Sequence, residues 1–309
     1  MITTLYTFEN DFSVTDILFF FAIISDMFYN EAISTSSETA GTRFYRNSLV
    51  KLEDCISQFN QENDIDFVVG LGDIIDRDFA SFDSVNSILS KSKKEVFQVI
   101  GNHDLEVEKS LIKKVPSKLN LEKTWYSFTK KGWHFIFLNG NDITFHSNNP
   151  EIVQKAIEIT DKLKKEGKPN PHPWNGGIGR KQLQWLEKEL QNSKTKNLKV
   201  AIFCHYPLLP FESHVLWNSE EVLAIFEKYS VVKLYMNGHN HAGNYATQNG
   251  IHFVNLKGMV ETETENAYSV ITFSDTMIEI KGFIKTLLEI PLNLISCFLF
   301  LICYEQFQI

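Results

Sequence analysis

A chain of 309 residues allows one large domain or two small ones with ample core, and 43% hydrophobic with 22% charged residues is an ordinary globular balance. The formal net charge of −8 argues against a nucleic-acid-binding surface, while an acidic protein still binds phosphates when metal supplies the cations locally. The four cysteines, Cys55, Cys204, Cys297 and Cys303, form no Cys-x-x-Cys pair and read as free thiols of a reducing, cytoplasmic compartment.

Residues 1 to 16 read as an irregular lead-in. The apolar run Ile17 to Ile24 has no basic region before it, and Asp11 and Asp16 precede it, so the expectation is a buried strand rather than a signal peptide. Asp26 stands at its exit. A small, polar stretch over 30 to 42 reads as a surface loop, and Phe44 to Asn60 carries Leu49, Leu52, Ile56 and Phe59 at helical spacing. Phe67-Val68-Val69 is a short β-branched strand bounded by Gly70 and Gly72, with Asp73 immediately after it and Asp76-Arg77 within a turn. A weaker helix over Ser81 to Ser92 leads to a strand at Val96 to Ile100. Strand, helix, strand, helix, strand predicts βαβ units with parallel pairing.

From Trp125 the pattern changes. Trp125 to Phe128 and Trp133 to Leu138 are two strands joined by Lys130-Lys131-Gly132, a hairpin signal. Pro150 to Lys165 and Gly179 to Gln191 are predicted helices, and the Pro-, Asn- and Gly-rich segment from Lys168 to Gly179 between them is a long loop of the sort that covers active sites. Later strands are expected at Val200 to Cys204, Val231 to Met236, Asn244 to Thr247, Ile251 to Leu256, Ala267 to Phe273 and Met277 to Lys281. The sum is an α/β chain of two packed mixed sheets with helices outside, in one catalytic domain over 1–282. Residues 283–309 form a separate hydrophobic tail. Its longest apolar run, Leu292 to Tyr304, falls short of the ~20 residues a membrane span needs. A helix packed on the body is therefore preferred to membrane contact.

Polar groups recur at the strand exits. Asp73 follows the second strand and Asn102-His103-Asp104 the third; His205 follows Val200 to Cys204, and His239 and His241 follow Val231 to Met236. In an open sheet these exits converge on one edge, where α/β proteins place ligands. Asp, Asn and His together suit a divalent cation such as manganese, or iron, zinc or magnesium, and the absence of cysteine from the cluster argues against a structural zinc site. Two ions roughly 3.5–4 Å apart clamp a phosphoryl group and acidify water, which removes the need for a side-chain nucleophile. No Gly-x-Ser-x-Gly and no Walker-type loop occurs. His134, His146, His172, His214 and His252 read as ordinary core or surface residues.

At these residues the sequence resembles the calcineurin-like metallophosphoesterases: Asp26, Gly72-Asp73-x-x-Asp76-Arg77, Gly101-Asn102-His103-Asp104, His205 and Gly238-His239-x-His241. Asn175-Gly176-Gly177-Ile178-Gly179 with Gln182-Leu183-x-Trp185-Leu186, Arg43 to Leu49, Cys204-His205-Tyr206-Pro207-Leu208 and Lys257 to Glu261 narrow the likeness to the manganese-dependent ADP-ribose/CDP-alcohol diphosphatases, over about residues 17 to 282. The resemblance implies a four-layer αββα sandwich and hydrolysis of small nucleoside diphosphate-linked substrates by two manganese ions. Asp26, Asp73 and His241 would hold one ion, and Asp73, Asn102, His205 and His239 the other. His103 would stand near the leaving group, with Asp104 supporting it from behind. One position departs from the pattern: Phe28 stands where the family supplies Gln, so one ion is short of a ligand. Two alternatives follow. One is another metallophosphoesterase reaction, on cyclic nucleotides or phosphomonoesters; the other is a metal-poor, nucleotide-binding non-enzyme.

Overall fold

The computed structural model describes residues 17–30, 35–37, 41–274, 276–282 and 286–291; the lead-in and the apolar run Leu292 to Tyr304 lie outside them. Apolar, β-branched runs alternate with amphipathic stretches through the first third, and the chain folds accordingly. Strand β1 (Ile17–Ile24) is followed by a short hairpin of β2 (Thr35–Ser37) and β3 (Gly41–Arg43), helix α1 (Ser48–Gln61), β4 (Ile65–Gly70), α2 (Ser81–Leu89) and β5 (Glu95–Gln98). A single-turn helix α3 (Val115–Lys118) leads into the hairpin β6 (Tyr126–Lys130) and β7 (Trp133–Phe137), whose turn residues Lys131 (φ 46°) and Gly132 (φ 80°) are both left-handed, as a type I′ turn requires. Helices α4 (Pro150–Lys165) and α5 (Arg180–Thr195) precede β8 (Lys199–Phe203), α6 (Ser219–Phe226) and β9 (Val232–Asn237). Strands β10 (Asn244–Gln248), β11 (Ile251–Asn255), β12 (Tyr268–Ser274), β13 (Met277–Gly282) and β14 (Thr286–Pro291) complete the order.

The strands form two mixed six-stranded sheets, ordered β14-β13-β12-β1-β4-β5 and β10-β11-β9-β8-β7-β6. In the first sheet β1, β4 and β5 are parallel neighbours, in register Ala22 with Val68 and Val68 with Val96. In the second, β7, β8, β9 and β11 are parallel neighbours. Three apolar layers hold the sandwich. Leu52, Cys55, Ile56 and Phe59 of α1, with Phe82 and Val85 of α2, pack on the outer face of the first sheet. Leu186 and Leu190 of α5, with Val222 and Phe226 of α6, cover the outer face of the second. Between the sheets lies an aromatic layer that includes Phe21, Phe67, Phe135, Phe137, Phe203 and Phe273. Each such ring contributes roughly 1.5–3 kcal/mol by leaving water. The four-layer αββα sandwich expected from the sequence is therefore the observed fold.

Three details differ from the expectation. The first helix starts at Ser48 rather than Phe44, because Tyr45–Asn47 form a 3₁₀ turn ahead of it. Helix α6 was not anticipated; at 8 residues it offers too few turns for a clear period. The backbone of residues 286–291 pairs with β13, in register Gly282 with Thr286, so the polypeptide beyond Gly282 first returns to the sheet as an edge strand. Among the described residues no helix is long and apolar enough to cross a membrane.

Candidate metal centre

Each parallel strand delivers a polar loop to the shared edge of the two sheets. β1 delivers Asp26, β4 Asp73 and β5 Asn102 and His103; β8 delivers His205 and β9 delivers His239 and His241. The approach is tight. A Cβ on Gly101 would lie 2.0 Å from Asp73 Oδ1, and one on Gly238 would lie 2.1 Å from Ser25 Oγ and 2.4 Å from Asp26 Oδ2, so only glycine fits at either place. Asp26, Phe28, Asp73, Arg77 and His239 all adopt positive φ (48°, 50°, 52°, 65° and 68°). Strain of this kind in side-chain-bearing residues persists where surrounding contacts over-determine the backbone, and it clusters at functional sites.

Asp73, His205 and His239 form one buried group, and among the described residues it is the sole set of three His, Cys, Asp or Glu ligand atoms within 4.8 Å of one another. Hydrogen bonds fix the ring orientations. His205 Nδ1 donates to the Leu71 carbonyl at 2.8 Å, which leaves Nε2 facing inward, 3.2 Å from Asp73 Oδ2 and 3.2 Å from Asn102 Oδ1. Both N–H bonds of Asn175 are donated, to the carbonyls of Asn170 (3.0 Å) and Ser213 (2.7 Å), so its Oδ1 accepts from His239 Nε2 at 2.9 Å. His239 Nδ1 is then the bare nitrogen, 3.2 Å from His205 Nε2. Two imidazole lone pairs, a carboxylate oxygen and an amide oxygen thus face one point, and Asp73 Oδ2 is buried without a hydrogen bond.

Such an arrangement demands positive charge. Burial opposes a proton on His205, but the Asp73 carboxylate outweighs it and raises the ring to about 9. Burial, reinforced by the charge of His205, pushes His239 well below its usual value. One proton serves one contact, whereas a divalent cation serves all four donors at once. The oxygen and nitrogen set, the outward-anchored imidazoles and the orphaned carboxylate oxygen together fit a borderline divalent metal.

The second half of the predicted site is built differently. His241 Nδ1 donates to Glu261 Oε1 at 2.5 Å, and its Nε2 lies 3.8 Å from Asp26 Oδ1. Asp26 Oδ2 accepts from Ser25 Oγ at 2.5 Å, and the His239 backbone N–H approaches both Asp26 oxygens at 3.1 and 3.2 Å. Phe28, 1% exposed, fills the neighbouring space with its ring centroid 4.2 Å from that of His103 and 4.8 Å from that of His241. The Arg43 guanidinium lies 4.9 Å from the same ring centroid, and Arg43 Nε is 3.7 Å from Glu261 Oε1.

His103 and Asp104 take separate roles. His103 Nδ1 donates to Asp76 Oδ1 at 2.7 Å, so the carboxylate behind His103 is Asp76, in place of the Asp104 expected there. Asp104 instead accepts four backbone N–H groups, those of Asp73 (3.0 Å), Ile74 (2.9 Å), Ile75 (3.3 Å) and Gly101 (2.9 Å). It binds the exit of β4 to the exit of β5. Glu106 closes this side, accepting from Arg77 Nε at 2.6 Å and Asn102 Nδ2 at 3.4 Å.

The structure therefore brings Asp26, Asp73, Asn102, His103, His205, His239 and His241 together and places Asp104 beneath them. Three residues at the site carried no expected role: Asn175, Glu261 and Asp76. A signal existed for Glu261, since β11 is another parallel strand whose exit reaches the same edge. Of the histidines read as ordinary, His134 and His252 are held away from the site by Ser193 and Tyr245. His214 stands at the rim, its ring centroid 5.6 Å from that of His239, and His146 Nε2 is 3.7 Å from Glu106.

Two mixed sheets that close on an edge of Asp, Asn and His, arranged around a cation position, define a metal-dependent hydrolase. The calcineurin-like phosphoesterase family matches residues 21–243, and the chain belongs to that family. Proteins named manganese-dependent ADP-ribose/CDP-alcohol diphosphatase from Arabidopsis thaliana and Mus musculus are each 29% identical to it, over 79% and 86% of this chain and 87% and 90% of their own lengths. A crystallographic dimetal phosphatase from Danio rerio superposes with a TM-score of 0.80 at 25% identity, over 90% of this chain and all of that one. The family likeness read from the motifs holds.

Proposed function

We propose that the protein is a manganese-dependent diphosphatase that hydrolyses the pyrophosphate bond of ADP-ribose and of CDP-alcohols such as CDP-choline, CDP-ethanolamine and CDP-glycerol. The products are a nucleoside monophosphate and a phosphorylated sugar or alcohol. One observation carries the reading: the convergence of Asp73 Oδ2, Asn102 Oδ1, His205 Nε2 and His239 Nδ1 on one point. The names and 29% identity of the two relatives support the choice of substrate and metal.

In this reading Asp73, Asn102, His205 and His239 hold one ion, and Asp26, Asp73 and His241 hold the second. Bound divalent cations supply charge neutralisation for phosphoryl oxygens and Lewis acidity toward water. The chain's own residues do the rest. Leu71 and Asn175 lock the tautomers of His205 and His239, so each presents a lone pair. Glu261 does the same for His241. Asp76 holds the Nδ1 proton of His103 and leaves Nε2 to give a proton to the departing phosphate oxygen, a contribution of ~10²–10⁴-fold for a positioned acid. Cys55 and Cys204 are buried free thiols, which supports placing the protein in the cytoplasm.

The test is a substrate panel with manganese: ADP-ribose, CDP-choline, cyclic AMP and a phosphomonoester, with products resolved by chromatography. AMP from ADP-ribose, CMP from CDP-choline and no turnover of cyclic AMP is the expected outcome. Turnover confined to cyclic AMP or the monoester would move the protein to the other phosphoesterase reactions.

A further inference from the structure

The two cation positions are unequal in their donors. The first has four, from Asp73, Asn102, His205 and His239, with an Asp73 oxygen left bare. Around the second, Asp26 Oδ1 and His241 Nε2 are 3.8 Å apart, and no group of three ligand atoms among the described residues includes either. Asp26 already takes the hydroxyl of Ser25 and the backbone N–H of His239.

Phe28 makes the inequality permanent. Its backbone N–H donates to the Asp73 carbonyl at 2.8 Å, and its left-handed backbone (φ 50°) fixes the direction of the side chain. The ring lies against both His103 and His241. A phenyl ring has no lone pair to offer a metal. Packed in a buried position, it also excludes the water that could replace a missing ligand. The Arg43 guanidinium on the same ring adds a positive charge nearby, shared with Glu261.

We propose that this protein holds one ion tightly at the Asp73–Asn102–His205–His239 position, and a second weakly and exchangeably at Asp26–His241. Occupancy of the second position, and with it the hydrolytic rate, follows the free manganese concentration. The inference rests on the metal-binding part of the functional reading and goes beyond it, because it concerns what this chain's Phe28 does to the metal stoichiometry.

The experiment titrates chelator-stripped, full-length protein with manganese by calorimetry, and follows the paramagnetic resonance signal of a coupled ion pair in parallel. Wild type should bind one ion tightly and a second at least tenfold more weakly, with the coupled signal growing only in the second phase. Phe28→Gln should tighten the second step at least tenfold and leave the first unchanged. Phe28→His, which offers a nitrogen instead, should act in the same direction and serves where the Gln variant does not fold. Two ions of equal affinity in wild type would overturn the proposal, as would folded Gln and His variants with an unchanged second step. A two-phase isotherm with no ADP-ribose hydrolysis would sink the substrate reading and leave this one standing.

Discussion

Asp104 accepts the backbone N–H of Asp73 at 3.0 Å, so one carboxylate holds the main chain that carries another. The same side chain takes the N–H groups of Ile74, Ile75 and Gly101, all buried where water cannot replace it. Asp104→Asn keeps the shape but turns an amide N–H₂ toward backbone donors. Each buried group left unsatisfied costs about 1–3 kcal/mol. A fall of several degrees in the melting temperature is expected, together with reduced activity. An unchanged melting temperature would show that the turn does not depend on this acceptor.

Asp73→Asn tests the centre itself. Its Oδ2 is the charged member of the four-donor set, and an amide cannot neutralise a cation. Manganese affinity and turnover should each fall by more than ~10²-fold, because even outer partners of metal ligands cost 10–100-fold. Circular dichroism should remain that of wild type. Full turnover with metal bound would remove Asp73 from the ligand set.

Asn175→Leu removes the acceptor that keeps the proton on His239 Nε2. The ring is then free to shift its proton to Nδ1, the nitrogen that faces His205. Manganese affinity should drop by ~10–100-fold, with the tightly bound ion affected first. Calorimetric titration reads this directly, and an unaltered first binding step would mean that the tautomer is set elsewhere.

Acid should weaken the fold through His252 as well as through the metal centre. Burial, and then the charge of Lys233, pushes this histidine down to about 4, and its Nδ1 lies 2.7 Å from the Tyr245 hydroxyl. In the unfolded chain a histidine titrates near ~6.5. Between those values the unfolded state binds more protons, so stability is lost as pH falls from about 6.5 toward 4. Melting curves of wild type and His252→Gln at pH 8 and pH 5 should therefore diverge in slope, with the variant less sensitive to acid. Parallel pH dependence would exclude His252 as a contributor.

Two truncations separate the edge strand from the residues after it. Ending the chain at Pro291 retains the β13–β14 pairing, and ending it at Gly282 removes that pairing. The shorter chain should melt lower and aggregate more readily through the exposed edge. Both should retain manganese-dependent hydrolysis, since β12 and β13 separate β14 from β1 and its Asp26. Loss of activity in a folded Pro291 truncation would give the last residues a role at the site.

Much of the site was legible because each ligand directly follows an apolar strand. Asp73 after Val68-Val69-Gly70 and His205 after Ile202-Phe203-Cys204 announce themselves by position alone. The partners that orient those ligands were not legible. Asn175 lies 64 residues from His239 in sequence, and Glu261 lies 20 residues from His241. Asn175 sits in a segment whose own pattern says only loop, and Glu261 was marked by nothing more than the exit of β11 ahead of it. The exchange of roles between Asp76 and Asp104 has the same origin. Spacing places both near His103, but which carboxylate meets the ring depends on side-chain direction in a turn. Phe28 was legible as a departure; its packing against His103 and His241 was not.

The aromatic layer between the sheets has a bearing on the metal centre that no single contact conveys. Asp26, Asp73 and Asn102 hang from one sheet, and His205, His239 and His241 from the other. Phe21 alone touches Phe67 at 5.0 Å, Phe273 at 5.5 Å, Phe203 at 5.6 Å and Phe135 at 6.2 Å between ring centroids. Close-packed rings yield little to compression, so the thickness of the layer acts as a gauge block that sets how far apart the two rows of ligands stand. Trimming a ring such as Phe203 to Leu would let the jaws of the site drift without altering any residue near the metal.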